Sequence, residues 1–237
     1  MKILPTIVTT SYNHSFPNYL EKIKEADFLG IKELCFFPTA LEKEERKKTY
    51  RALEKSKIKS IPFVHLRHDM EPEEAEFFIK RFQTKVFNIH FSPLFLSRKW
   101  GIYRKKIYIE NTVYPWREEE IKDFAGVCLD FSHLEDFRLI YPEDFRENIK
   151  VLEKYSCGCG HISAVNSTPK YVAEFDLNYY SQHYFENLAD FDYLKNYPRK
   201  YFPPIVALEL ENSLEEQLKV KDYILRIVTK SLTNFQT

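Results

Sequence analysis

The sequence predicts a closed α/β barrel in which eight parallel strands alternate with helices. Three observations carry this: eight short apolar runs separated by amphipathic charged segments, a length suited to one such barrel, and the absence of a glycine-rich loop after the first run. At 237 residues the chain falls within the roughly 200 to 250 residues that a (β/α)8 TIM barrel uses. Residues 1–237 are therefore expected to form a single domain.

The strand-like runs are ILPTIVTT (3–10), KELCFFP (32–38), SIPFVHLR (60–67), VFNIHFS (86–92), KIYIENT (106–112), GVCLDFS (126–132), CGHISAV (159–165) and PIVALELE (204–211). Each is rich in β-branched or aromatic residues and nearly continuous in its apolar character. Strands of a parallel sheet covered by helices read this way because both faces are buried.

Helices are predicted between the runs. The first spans Pro17 to Leu29, with Pro in the first turn and Gly30 as the stop. Leu41 to Lys55, Glu73 to Phe82, Glu135 to Tyr155 and Ser213 to Thr229 show helical spacing of apolar residues, and their charge-rich faces are expected to be solvated. Between Pro93 and Lys105 there is room only for a short or degenerate fourth helix. A long Tyr-rich connection from Asn166 to about Phe185 is expected to be a loop acting as lid or substrate wall. An open doubly wound sheet is the alternative fold, but TTSYNHSFP after the first run has no glycine to cradle a phosphate.

Composition narrows the function. Hydrophobic residues make up 44% and charged residues 30%, which supports a large core in a soluble protein. The formal net charge is zero, so no global field draws the chain to nucleic acid or an acidic membrane surface. No apolar stretch approaches the ~18 residues of a membrane span, and the N-terminus is too short and polar for a signal peptide. Cys35, Cys128, Cys157 and Cys159 form neither a CxxC pair nor a secretory framework, so reduced core thiols and a cytoplasmic location are expected. Cys157 and Cys159, at i and i+2, are expected to share a strand face and could add a thiolate beside His161.

Six acidic or imidazole side chains stand at or near the ends of these runs: His65, His90, Glu110, Asp130, His161 and Glu209. In a barrel all six converge on the C-terminal mouth, where active sites are built. Burying Glu110 and Asp130 beside Ile109 and Leu129 is expensive unless a cation, a metal or several donors compensate. Glu209 and Glu211 alternate along one face, so either can point inward, with Glu209 favoured. Carboxylates and imidazoles gathered from different strands suit a divalent metal, Zn2+, Mn2+ or Mg2+.

These motifs resemble, in order and over nearly the whole chain, the xylose-isomerase-like TIM barrel superfamily, which includes sugar isomerases and epimerases and the zinc-dependent AP endonucleases. Glu110-Asn111-Thr112 looks like the superfamily's Glu-Asn-Thr signature, whose Glu bridges metals. Asp130-Phe131-Ser132-His133 looks like its Asp-x-x-His motif. By the same resemblance His161 and Glu209 correspond to metal ligands on strands seven and eight, and His65 and His90 to the histidines that make an endonuclease site multinuclear. Ser181-Gln182-His183 stands where the endonucleases carry Asp-x-His, and the Asp is absent.

The resemblance implies two chemistries. In a sugar or sugar-phosphate isomerase or epimerase, Glu110, Asp130, His161 and Glu209 hold one metal, and Glu110 with Glu209 or Glu211 moves a proton through an enediolate. His133, His65, Asn111 and His183 then contact substrate, and Tyr179, Tyr180 and Tyr184 cover it. In a phosphodiester hydrolase, His65, His90 and His133 add further metal ligands, and the basic run from Arg98 to Lys106 can meet nucleic-acid phosphates. Balanced charge favours the isomerase. A barrel that binds a ligand without catalysis is the third reading. Oligomeric state is not legible in the sequence.

Overall fold

Strand pairing closes the sheet on itself through a single proline. In the computed structural model, residues 1–8, 15–90, 97–112, 114–172 and 177–230 are described. The first stave consists of β1 (Lys2–Leu4) and β2 (Thr6–Val8), interrupted at Pro5, which has no N–H to give a ladder. β1 pairs with the last barrel strand and β2 with the next one along the chain, so the stave joins both edges of the sheet. Pro5 still accepts a hydrogen bond from the Cys35 N–H at 2.9 Å.

The other staves are β3 (Cys35–Phe37), β4 (Phe63–His65), β5 (Val86–Ile89), β6 (Ile107–Glu110), β7 (Gly126–Asp130), β8 (Cys157–Ile162) and β11 (Ile205–Leu208). They run in the order β1-β11-β8-β7-β6-β5-β4-β3-β2, all parallel. The predicted eight-stave (β/α)8 barrel is present. Each strand is shorter than its apolar run, and positions 9, 10, 91 and 92 of two runs lie outside the described residues.

Alternation along the strands sorts the core into two shells. Leu4, Val8, Cys35, Phe37, Phe63, Val86, Cys128, Cys159, Ile205 and Ala207 form the inner cluster, which fills the barrel. The alternate residues, among them Ile7, Phe36, Val64, Phe87, Ile109, Val127, Leu129 and Val206, pack outward against the helices. Parity then dictates what comes next on the inner face: two residues beyond Phe63, Val86, Tyr108, Cys128, Cys159 and Ala207 stand His65, Asn88, Glu110, Asp130, His161 and Glu209.

Helices α1 (Ser15–Phe28), α2 (Lys43–Lys55), α3 (Pro72–Phe82) and α7 (Leu214–Lys230) match the predicted segments within a few residues. Gly30 follows α1 at φ 68°, the left-handed position that a terminating glycine takes. Capping boxes, Glu42 with Glu45 and Glu71 with Glu74, start α2 and α3. Arg46 of α2 is fully buried and binds Glu74 (2.9 Å) and Asp69 (3.0 Å), tying together the connections after β3 and β4.

The single helix predicted from Glu135 to Tyr155 is instead two, α5 (Phe131–Ile140) and α6 (Pro142–Lys154). Pro142 cannot continue a helix and starts a new one. The degenerate fourth helix is a 3-10 segment, Ser97–Lys106, kinked at Gly101. It leads into β6 at Ile107, so Arg104, Lys105 and Lys106 end up at the strand's entry, away from the mouth. A short α4 (Glu118–Ile121) follows β6, and 3-10 turns occupy Leu188–Asn196 and Arg199–Tyr201.

The expected long loop is an antiparallel hairpin of β9 (Ala164–Val172) and β10 (Leu177–Gln182), with an irregularity between Tyr179 and Ser181. Residues 167–171 of this ribbon are all exposed.

Opposite Val127 and Cys128, β8 holds an irregular register that pairs them with Cys157 and Cys159. The extra residue, Gly158, separates the two thiols' environments: Cys159 lies in the inner cluster, and Cys157 packs against the outer one. The expectation that they share a face fails for this reason.

Gly126 opens β7, which carries Asp130. It has φ 143°, and a Cβ there would lie 2.1 Å from the Ser156 carbonyl oxygen. Replacing Gly126 by Ala is expected to destabilise the fold by about 1–3 kcal/mol, read as a lower urea midpoint with unchanged slope.

Candidate metal centre

Glu110 is the hub. It ends β6, is 4% exposed, and both carboxylate oxygens are engaged. Oε1 faces His90 Nε2 at 2.9 Å; Oε2 faces His65 Nε2 and His161 Nε2, each at 3.1 Å. The Asn88 side-chain amide also donates to Oε2. Burial alone would push this carboxyl up, but the imidazoles of His161 and His90, with His65 beside them, hold it well below the usual carboxylate range.

The opposite side is built on His161, which is completely buried. Its Nδ1 lies 2.9 Å from Glu209 Oε2 and 3.4 Å from Asp130 Oδ2. Neither ring nitrogen makes a hydrogen bond of good angle, although both point among carboxylate oxygens. Burial opposes the ring's charge, yet Glu110, Glu209 and Asp130 raise its pKa well above the ordinary value.

Asp130 has two duties, both set by its place at the junction of β7 and α5. As N-cap it accepts from the N–H groups of Ser132 (2.7 Å) and His133 (3.0 Å) and from the Ser132 hydroxyl (2.6 Å), all at Oδ1. Oδ2 is left toward His161 and His133, the latter at 3.6 Å. Asn111 fixes the backbone of this residue: its Oδ1 accepts from the Asp130 N–H at 2.7 Å and its Nδ2 donates to the Asp130 carbonyl at 2.9 Å. The fully buried Asn111 is thus a clamp between strand ends, not the substrate contact expected of it.

His65 donates from Nδ1 to the Leu66 carbonyl at 2.8 Å, which fixes the ring with Nε2 toward Glu110. His90, with its side chain 56% exposed, stands edge-on to His65 at 4.8 Å. Phe37 packs edge-on against both His65 and His161, giving the centre an apolar flank.

His133 sits between Asp130 and Asp136, whose Oδ2 is 3.7 Å from Nδ1. Burial disfavours its charge, but the two carboxylates push its pKa up to about 9. Asp136 was not singled out in the sequence, although the spacing 130, 133, 136 puts the three on one side of α5. Its Oδ1 accepts from the N–H groups of Tyr180 (2.6 Å) and Ser181 (3.2 Å), so it also fastens the hairpin.

Other expected site residues divide. His183, just past β10, reaches Glu209 Oε2 at 3.5 Å. Tyr179 is buried with its ring 6.2 Å from that of His133. Tyr180 is partly buried, and Tyr184 is 54% exposed, with no contact to the centre among the described residues. Glu211 lies elsewhere: β11 ends at Leu208, the strict alternation stops there, and Glu211 lines a separate cavity of about 430 Å³ with Glu21, Lys22 and Glu25. Arg98 and Lys99 have side chains outside the described residues, and Trp100 of the same run is buried in the core.

Three groups of donor atoms lie within 4.8 Å of one another: His65, His90 and Glu110; Glu110, Cys128 and His161; and Asp130, His161 and Glu209. The set fits a divalent cation, because the buried His161 nitrogens lack well-aligned hydrogen bonds and oppose carboxylates at close range. Clefts of about 180 Å³, beside His65 and His90, and about 190 Å³, beside Glu110 and Trp116, reach the centre.

Strand order and donor cluster together define a (β/α)8 barrel with a carboxylate–imidazole centre at its C-terminal mouth. Among solved structures, the chain is similar to a xylose isomerase-like TIM barrel protein from Mycobacterium smegmatis in complex with magnesium, at 13% identity, 97% coverage of both chains and a TM-score of 0.48. It is also similar to endonuclease IV from Thermus thermophilus, at 16% identity, 98% coverage of both and a TM-score of 0.47. No family model and no curated protein matches the sequence. Among the described residues no helix is long and apolar enough to cross a membrane.

Two outcomes follow for the metal-free protein. His133, raised to about 9, stabilises the fold fully below the unfolded value near 6.5. That contribution is lost as pH rises through about 9. Glu110 and Glu209, both held low, contribute above the unfolded value near 4.3, and this is lost as pH falls through their folded values. In chelator, Tm is expected to drop between pH 7 and 10 and again below about pH 4; a Tm that rises over the alkaline range would contradict the assignment. Replacing Asn111 by Ala, which strands two buried backbone groups of Asp130, is expected to weaken metal binding about 10–100-fold by calorimetry.

Proposed function

We propose that the chain hydrolyses phosphate esters at a centre of two divalent cations, zinc being the best match to its imidazoles, that share Glu110. The observation that carries this reading is the splitting of Glu110: one oxygen turns to His90, the other to His65 and His161. His65, His90 and Glu110 would hold one cation; Glu110 and His161 would hold the other from the Nε2 side of the ring, with Asp130 and Glu209 set against Nδ1. When bound, such cations polarise a phosphoryl oxygen and acidify a water molecule.

The chain's own residues supply the rest. The Leu66 carbonyl and the Asn88 amide fix His65 and Glu110 in orientation. His133, placed between Asp130 and Asp136, would offer an imidazole N–H to a phosphoryl or leaving oxygen. His183 and Tyr179 bound the mouth from the hairpin side. The flanking clefts suit a small phosphate ester, such as a sugar phosphate, or a short stretch of single nucleic-acid strand. We also propose that residues 1–237 form one catalytic domain, and that the four free thiols belong to a cytoplasmic protein.

A sugar or sugar-phosphate isomerase using one cation is the second reading. It is favoured by the distances of His65 and His90 from Glu110, which are those of hydrogen bonds. Its proton carriers would have to be Glu110 and Glu209, because Glu211 lies apart.

Metal analysis after zinc loading should give about two ions per chain, falling to about one in His90→Ala. Loaded protein should cleave a chromogenic phosphodiester and lose at least about 100-fold of that rate in Glu110→Gln. One ion in both proteins, with solvent deuterium entering a sugar phosphate, would replace this reading by the isomerase.

A further inference from the structure

We propose that Cys128 is a metal ligand from below, so that the inner cation is held by a thiolate together with Glu110 and His161 and must be thiophilic. This rests on the reading of Glu110 and His161 as ligands and makes it more specific.

Parity puts the thiol beneath the centre. Cys128 stands two residues before Asp130 on the inward face of β7, pairs in register with Glu110 on one side and Cys159 on the other, and is fully buried. The layer around it is apolar, with Phe63, Val86 and Ala207 in the same cluster. A thiol at this depth has a second neighbour of a different kind: it interacts with the His161 ring and with the Cys159 thiol. Its sulfur, a Glu110 oxygen and a His161 nitrogen lie within 4.8 Å of one another, so the three can converge on one ion. The ring whose nitrogens lack well-aligned hydrogen bonds is this same His161.

On binding, the S–H bond breaks, a sulfur–metal bond forms and the proton leaves to solvent, so no other reactant is required. A thiolate in the set selects zinc or another soft cation over magnesium, which prefers oxygen ligands and retains its water. Cys159 lies one residue pair away and serves as the internal control.

Cadmium is the probe, because a cadmium–thiolate bond gives an ultraviolet charge-transfer band and a displaced cadmium NMR signal that oxygen and nitrogen ligands do not. Titrating the full chain with cadmium is expected to produce both signals in the wild type and in Cys159→Ser. In Cys128→Ser the band is lost, while zinc affinity drops about 10–100-fold and magnesium affinity is unchanged. Should that variant not fold, the wild-type and Cys159→Ser signals still decide whether sulfur binds. Cadmium bound by the wild type without a sulfur signal, or a signal that disappears only in Cys159→Ser, overturns the inference and leaves the Glu110 centre standing. If no cation binds at all, the metal reading itself falls.

Discussion

A carboxylate placed at the end of a buried strand governs this molecule. Glu110 has left water for a site surrounded by apolar strands, and the charge is tolerated only because three imidazoles and an amide close around it. Each of those partners extends from the barrel wall, so the hub also fixes the relative height of β4, β5, β6 and β8. Removing one partner leaves a buried charge exposed to the apolar shell, which costs far more than a surface contact would.

The barrel makes this arrangement by parity. Alternation assigns Phe63, Val86, Tyr108, Cys128 and Cys159 to the interior, and the next inward layer is then His65, Asn88, Glu110, Asp130 and His161. Apolar packing below and polar convergence above are therefore one pattern read at two heights. Supporting contacts hold the upper layer still: Asn111 on the Asp130 backbone, Leu66 on His65, and Asp136 between α5 and the hairpin. The Ser163 hydroxyl donates to the Glu209 carbonyl at 3.2 Å, and the Tyr193 hydroxyl to the Ser163 carbonyl at 3.0 Å, extending the same support to the last strand.

Much of this was legible in the sequence because strand ends in a parallel barrel share one mouth. The apolar runs marked the staves, and the burial cost of Glu110 and Asp130 marked the centre. What escaped depended on local breaks in periodicity. Gly158 adds a residue to β8 and sends Cys157 and Cys159 to different shells. The end of β11 at Leu208 removes Glu211 from the face it would share with Glu209. Pro142 splits a helix whose apolar spacing runs on unbroken. Asn111 carries the expected motif but spends its amide on the Asp130 backbone, a role visible only once β6 and β7 are side by side. The hairpin of residues 164–182 has pairing that single-strand patterns do not reveal.

Whether Glu110 bridges two cation positions is measured most directly by anomalous diffraction at the zinc edge from crystals grown with zinc. Two peaks are expected, one against Glu110, His65 and His90 and one against Glu110 and His161. A single peak remote from His65 and His90, or peaks that do not touch Glu110, would contradict the bridging role.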